Sequence, residues 1–140
     1  MPSSRKTLEY LGGLERHGIR PGLDRIKRLL SAIGDPQCAY PCVHIAGTNG
    51  KGSTSAFISS ILIEAGFKTG VYTSPHLIRF NERIRVGART ISDADMIRLA
   101  ASVKMAASGL CLEGDEPTFF EFTTAMAFEY FREKKIDIAV

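Results

Sequence analysis

The residues best suited to chemistry lie in one run, Val43-His44-Ile45-Ala46-Gly47-Thr48-Asn49-Gly50-Lys51-Gly52-Ser53-Thr54. An apolar stretch leads into a glycine-rich turn with one lysine and a hydroxyl pair, and a helix-compatible segment (Ala56 to Ala65) follows. That order suits a nucleoside triphosphate. Glycine lets backbone N–H groups close on phosphate oxygens, a helix N-terminus favours negative charge, and Lys51 adds a cation. A hydroxyl of Ser53 or Thr54 is then placed to help hold magnesium, the usual companion of the phosphates. The strict pattern G-x-x-x-x-G-K-[ST] is not met. Ile45 stands at its first glycine position, and Gly52 separates Lys51 from the first hydroxyl.

A second polar cluster follows the next apolar run: Thr73-Ser74-Pro75-His76-Leu77, then Phe80-Asn81-Glu82-Arg83-Ile84. Ser74 can offer a hydroxyl to a metal or a phosphate, and His76 and Arg83 can bind anions. Taken singly, Ser74-Pro75 reads as turn chemistry and Asn81-Glu82-Arg83 as solvated surface.

The elements that must position these groups can be read from periodicity. Leu8, Leu11 and Leu14 mark a helix over Thr7–His17, broken at Gly18. Ile26, Leu29, Leu30 and Ile33 mark a second over Leu23–Ile33, stopped by Gly34-Asp35-Pro36. Cys42–Ala46 is the strand before the phosphate loop, a helix runs on to about Ala65 with Gly66 as its cap, and Thr69–Thr73 is the next strand. Pro75 opens an irregular stretch, Arg83–Val86 suits a short strand turned at Gly87, and Ser92 caps a helix to about Ser108. Thr118 precedes a helix over Phe119–Glu133, and Ile136–Val140 is a third apolar strand. Alternating strands and helices predict an α/β fold, a P-loop-type parallel sheet flanked by helices. A loop after the second strand then leaves the same sheet edge as the phosphate loop, where ligands of such sheets bind.

Composition narrows the classes. The 140 residues suit one domain and, at 44% hydrophobic, can bury a core. A net charge of +3 arises from 18 basic and 15 acidic residues scattered along the chain, with no basic stripe for nucleic acid. No apolar run is long enough for a membrane span and no signal peptide opens the chain, so a cytoplasmic protein is expected. Cys38, Cys42 and Cys111 are an odd set that argues against a disulfide framework. With His44 nearby, zinc comes to mind, but no second ligand pair follows, and the cysteines read as buried or half-buried packing residues.

Together the two loops closely resemble the folylpolyglutamate synthase/dihydrofolate synthase family, ATP-dependent amide ligases related to the Mur peptidoglycan ligases. The resemblance runs from about Gly22 to Val140. Mur relatives share Gly47-Thr48-Asn49-Gly50-Lys51 but commonly carry a hydroxyl residue where this chain has Gly52, and the Ser74-Pro75-His76 and Asn81-Glu82-Arg83 loop looks like the folate branch. The resemblance implies ATP on the loop from Gly47 to Thr54 with Lys51 as the catalytic cation, and Mg2+ on Ser74 and Ser53. It implies a pterin pocket at Thr118-Phe119-Phe120-Glu121, a further folate-contacting loop at Ile19-Arg20-Pro21, and substrate contacts from His76 and Arg83.

The implied substrates are dihydropteroate or a folate and L-glutamate, joined through an acyl phosphate. Nucleic acid and membrane are not expected partners, and a monomeric parent is. Because the chain stops inside its third main strand, residues 1–140 are expected to be the N-terminal part of a Mur-ligase-like ATP-binding domain, without the C-terminal domain and inactive alone. The rival readings are a Mur-type peptidoglycan precursor ligase and a stand-alone nucleotide-binding module.

Overall fold

The computed structural model describes residues 3–110 and 116–140. In chain order the elements are α1 (Ser4–Gly13), α2 (Asp24–Ala32), α3 (Lys51–Glu64), β1 (Thr69–Tyr72), β2 (Ile84–Val86), β3 (Arg89–Thr90), α4 (Asp93–Ser108), α5 (Phe119–Lys134) and β4 (Ile138–Ala139). Their contacts gather into two compact units, Met1–Gln37 with Asp93–Tyr130 and Cys38–Ser92 with Phe131–Val140. Each unit draws on two separate stretches, and one boundary falls inside α5. No linker therefore marks the division in the sequence.

The first unit is helical. Ser3 caps α1 by accepting the Lys6 N–H, so the helix starts earlier than the leucine spacing suggests. It tightens into a 3-10 turn at Leu14–His17 and ends at Gly18, whose φ of 59° suits a residue without Cβ. Leu11 and Leu14 are buried, as are Leu29 and Leu30 of α2. The α4 face Met96, Leu99, Ala100, Val103 and Ala107 repeats at helical spacing, is buried, and α4 contacts α1 and α2. Each large side chain so buried contributes about 1.5–3 kcal/mol of transfer free energy. Phe122 of α5 completes this core, and the Tyr10 ring meets it edge-on at 5.5 Å.

The second unit holds the sheet, in the order β3-β2-β1-β4. The α/β class is as read from the sequence, but the sheet is mixed. β1 pairs parallel with β4, whereas β1/β2 and β2/β3 are antiparallel. The reason lies in the connections: only a 3-10 turn at Phe80–Arg83, and no crossover α-helix, lies between β1 and β2, and β2 turns directly into β3 at Gly87, so those chains reverse.

The strand expected over Cys42–Ala46 is reduced to one parallel bridge, Cys42 to Ala139, with Val43 N–H donating to Ala139 O at 2.8 Å. Among the described residues no further strand flanks this run, and its side chains stay exposed or half-buried. α3 lies against β1 with Ser55 and Ser59 buried, leaving Phe57 and Ile61 exposed. Gly70 of β1 has no room for a side chain. An added Cβ would stand 2.7 Å from Ile136 Cδ1 and 2.8 Å from Phe131 Cδ1.

The expected packing role of the cysteines does not hold. Cys38, in a 3-10 turn, and Cys42, at the sheet margin, are exposed free thiols; Cys111 lies outside the described residues.

Candidate functional site

In the second unit, the segment at Cys42, β4 and β1 all run parallel. Loops leaving the first and the last of these therefore emerge at one sheet edge, the position favoured for ligands in α/β sheets. Gly47 to Thr54 is the first such loop and is exposed throughout. Gly50 takes a left-handed φ of 78° and starts α3 without a side-chain cap. The first intrahelical bond is Thr54 N–H to Gly50 O at 2.9 Å. The amides of Lys51, Gly52 and Ser53 come before it and have no acceptor within the helix, so they can turn to an anion. The Lys51 ammonium donates to Gly47 O at 2.6 Å and to Thr48 O at 3.4 Å, which holds a positive charge across the same loop.

The loop after β1 begins with exposed Ser74 and is closed by its own polar residues. The Glu82 carboxylate accepts the N–H groups of Leu77 (2.8 Å), Ile78 (3.1 Å) and Arg79 (2.7 Å). Those bonds, that from Leu77 foremost and that from Arg79 next, hold its carboxyl below the usual carboxylate range. Asn81 is buried and donates through Nδ2 to Ile91 O at 2.7 Å.

Arg83 is only 7% exposed and donates through Nε to His76 Nδ1 at 2.8 Å, while His76 also meets the Phe80 ring edge-on. Asn81-Glu82-Arg83 is thus neither solvated surface nor, at Arg83, an exposed anion contact. The three side chains hold the loop in shape. Arg83 supports His76 from inside.

In the first unit, two sequence-selected segments meet. Thr118 and Glu121 form a reciprocal cap at the start of α5: Thr118 N–H donates to Glu121 Oε2 at 2.8 Å, and Glu121 N–H donates to Thr118 Oγ1 at 3.2 Å. Arg25, on the first turn of α2, donates through Nε to the same Glu121 oxygen at 3.3 Å and through Nη2 to Arg20 O at 2.7 Å. Arg20 reaches Glu116 O through Nη1 at 3.5 Å. The loop Ile19-Arg20-Pro21 is thereby tied to the N-terminus of α5. Around this polar centre Ile19 is 98% and Phe120 56% exposed, Phe119 is half-buried, and Phe122 belongs to the core.

Sequence reading passed over Arg25. The only signal was a cation beside the apolar stripe of α2, and of the cap only the helix start after Thr118 was read, not its reciprocal bond with Glu121. Among the described residues no three His, Cys, Asp or Glu side chains group as a metal site, and no helix is long and apolar enough to cross a membrane.

No family model matches the chain. Dihydrofolate synthase/folylpolyglutamate synthase of Bacillus subtilis (strain 168) is 44% identical over 133 residues, 94% of this chain. Folylpolyglutamate synthase of Thermotoga maritima superposes over 97% of the chain with a TM-score of 0.88 and 45% identity. The chain is a homologue of the folylpolyglutamate and dihydrofolate synthases. It spans about a third of these synthases, 31% of the first and 32% of the second. An FPGS–AMPPCP–folate complex superposes with a TM-score of 0.89 at 37% identity, covering 99% of this chain and 34% of that one. The alignable synthase region thus includes the loops at 47–54 and 73–83 and the capped start of α5, with a mixed sheet flanked by helices.

Proposed function

We propose that this chain is the nucleotide-loop portion of an ATP-dependent amide ligase that joins L-glutamate to dihydropteroate, to a folate, or to both. One observation carries the reading. The open N-terminus of α3, with Gly50 left-handed and the Lys51 ammonium at the loop mouth, belongs to a chain homologous to synthases, one of them solved with AMPPCP and folate.

In this reading the amides of Lys51, Gly52 and Ser53 and the loop from Gly47 to Asn49 orient the phosphates. Lys51 neutralises charge that builds as the γ-phosphoryl moves to the substrate carboxylate. The resulting acyl phosphate is open to the amine of glutamate, and amide formation releases phosphate. Positioning and charge neutralisation do the work, so no nucleophilic side chain is required.

The exposed hydroxyls of Ser53, Thr54 and Ser74 suit Mg2+ as hard oxygen donors alongside phosphate oxygens and water. Bound there, Mg2+ would neutralise phosphate charge. Phe119 and Phe120, backed by the buried Thr118–Glu121 cap, form with Ile19, Arg20 and Pro21 the face offered to a flat heterocycle, and exposed Phe120 is the ring best placed to stack on it. His76, propped by Arg83, is the remaining substrate contact. A monomeric, cytoplasmic parent fits a ligase that draws on ATP and free glutamate.

The reading is tested by titrating AMPPCP with Mg2+ into the 140-residue chain while following the Gly50–Thr54 amides by NMR. Saturable shifts confined to that loop are expected. Shifts spread evenly over surface lysines, or none, would remove the nucleotide assignment.

A further inference from the structure

The polar centre beside α5 goes further than the substrate reading on which it rests. Arg25 is not itself on the exposed face; its side chain is 14% exposed and that of Glu121 9%. A buried cation–carboxylate pair is held only when its remaining groups find partners. Here both do. Glu121 Oε2 receives the Thr118 N–H as well as Arg25 Nε, and Arg25 Nη2 spends itself on Arg20 O at 2.7 Å. The guanidinium is planar and its nitrogens lie in a fixed fork, so one side chain sets the distance between two acceptors. One acceptor belongs to the loop that carries Ile19, the other to the helix turn that carries Phe120.

We infer that Arg25 is a positioning residue for the folate-type substrate. It fixes the loop Ile19-Arg20-Pro21 against the start of α5, and so sets the gap into which the heterocycle fits. Without it the loop that carries Ile19 loses its tie to the start of α5, and the Ile19 side chain, 98% exposed, has no packing of its own to hold the loop there. Glu121 acts through the same contact: its Oε2 is committed to Thr118 and Arg25 rather than to ligand. Lysine at position 25 keeps the charge but offers one nitrogen for two separate acceptors.

The test uses the 140-residue chain, with folate and AMPPCP as probes, on wild type, Arg25→Lys, Arg25→Met and Lys27→Gln. Lys27 is an exposed cation on the same helix and serves as the charge control. Expected are folate binding weakened at least tenfold in Arg25→Met, an intermediate loss in Arg25→Lys, and no change in Lys27→Gln. AMPPCP affinity should stay within twofold throughout, and amide exchange over residues 18–22 should quicken in Arg25→Met alone. Arg25→Met that binds folate within twofold of wild type refutes the positioning role. So does an equal loss of folate and AMPPCP affinity, which reports general unfolding. A wild-type chain that binds AMPPCP but no folate overturns the substrate reading itself, and this role with it.

Discussion

Replacing Lys51 by alanine separates a nucleotide loop from an ordinary glycine-rich turn. The side chain is exposed and donates to two carbonyls of its own loop, Gly47 O at 2.6 Å and Thr48 O at 3.4 Å. Nothing in the core depends on it, so the change in folding stability should stay within about 0.5 kcal/mol, as for other surface positions. Bound phosphate changes the balance. The ammonium would exchange neutral carbonyl acceptors for an anion, and a hydrogen bond to a charged group is worth about 1.5–3 kcal/mol. At 1.4 kcal/mol per decade, AMPPCP affinity should fall roughly 10- to 150-fold. Calorimetric titration of AMPPCP in the presence of Mg2+, with thermal melts of both proteins, measures the two quantities separately. Affinity within twofold of wild type, with the melt unchanged, would refute the placement of Lys51 on the phosphates. Within a ligase of the kind proposed, the same substitution should lower turnover by a comparable or larger factor.

Other expectations follow from single positions. Gly70→Ala drives a methyl to within 2.8 Å of the Phe131 and Ile136 side chains, and overpacking of that kind costs about 1–3 kcal/mol, to be read as a lowered midpoint in urea. Gly50→Ala places a Cβ at a φ of 78° and should lose about 1–2 kcal/mol, whereas Gly52→Ala, with nothing within 4 Å and no positive φ, should leave the midpoint unchanged or raised. Glu82 has its carboxyl lowered by the Leu77, Arg79 and Ile78 amides. Its contribution is therefore present above the unfolded-state value and lost as pH falls through the lower folded-state value. Amide exchange of Leu77, Ile78 and Arg79 should quicken in that acid window, and in Glu82→Gln it should be fast at every pH. Ser74→Ala should weaken Mg2+-dependent AMPPCP binding more than folate binding, and an unchanged Mg2+ requirement would reduce Ser74 to a turn residue.

Local chemistry was legible where it rests on residues adjacent in sequence. The glycine-rich loop, the helix that follows it, the helix start after Thr118 and the glycines that end helices each depend on neighbours a few positions away. Backbone geometry then leaves little choice. Helix existence was equally plain, because the stripe Met96, Leu99, Ala100, Val103 and Ala107 can bury only one face. The resemblance to the folate synthases likewise came from two short blocks of sequence.

What tertiary structure decided are the relations between distant segments. A cation such as Arg83 or Arg25 carries no sequence mark of its partner. Burial forces each to find one, and only the folded chain brings His76 to the first and Glu121 with Arg20 O to the second. The pairing of β1 was also beyond periodicity, since alternation fixes which face a residue takes and not the direction of its neighbour. The strand expected at Cys42–Ala46 shrank to one bridge because a ladder needs a second chain along its length, and that is a property of the whole sheet.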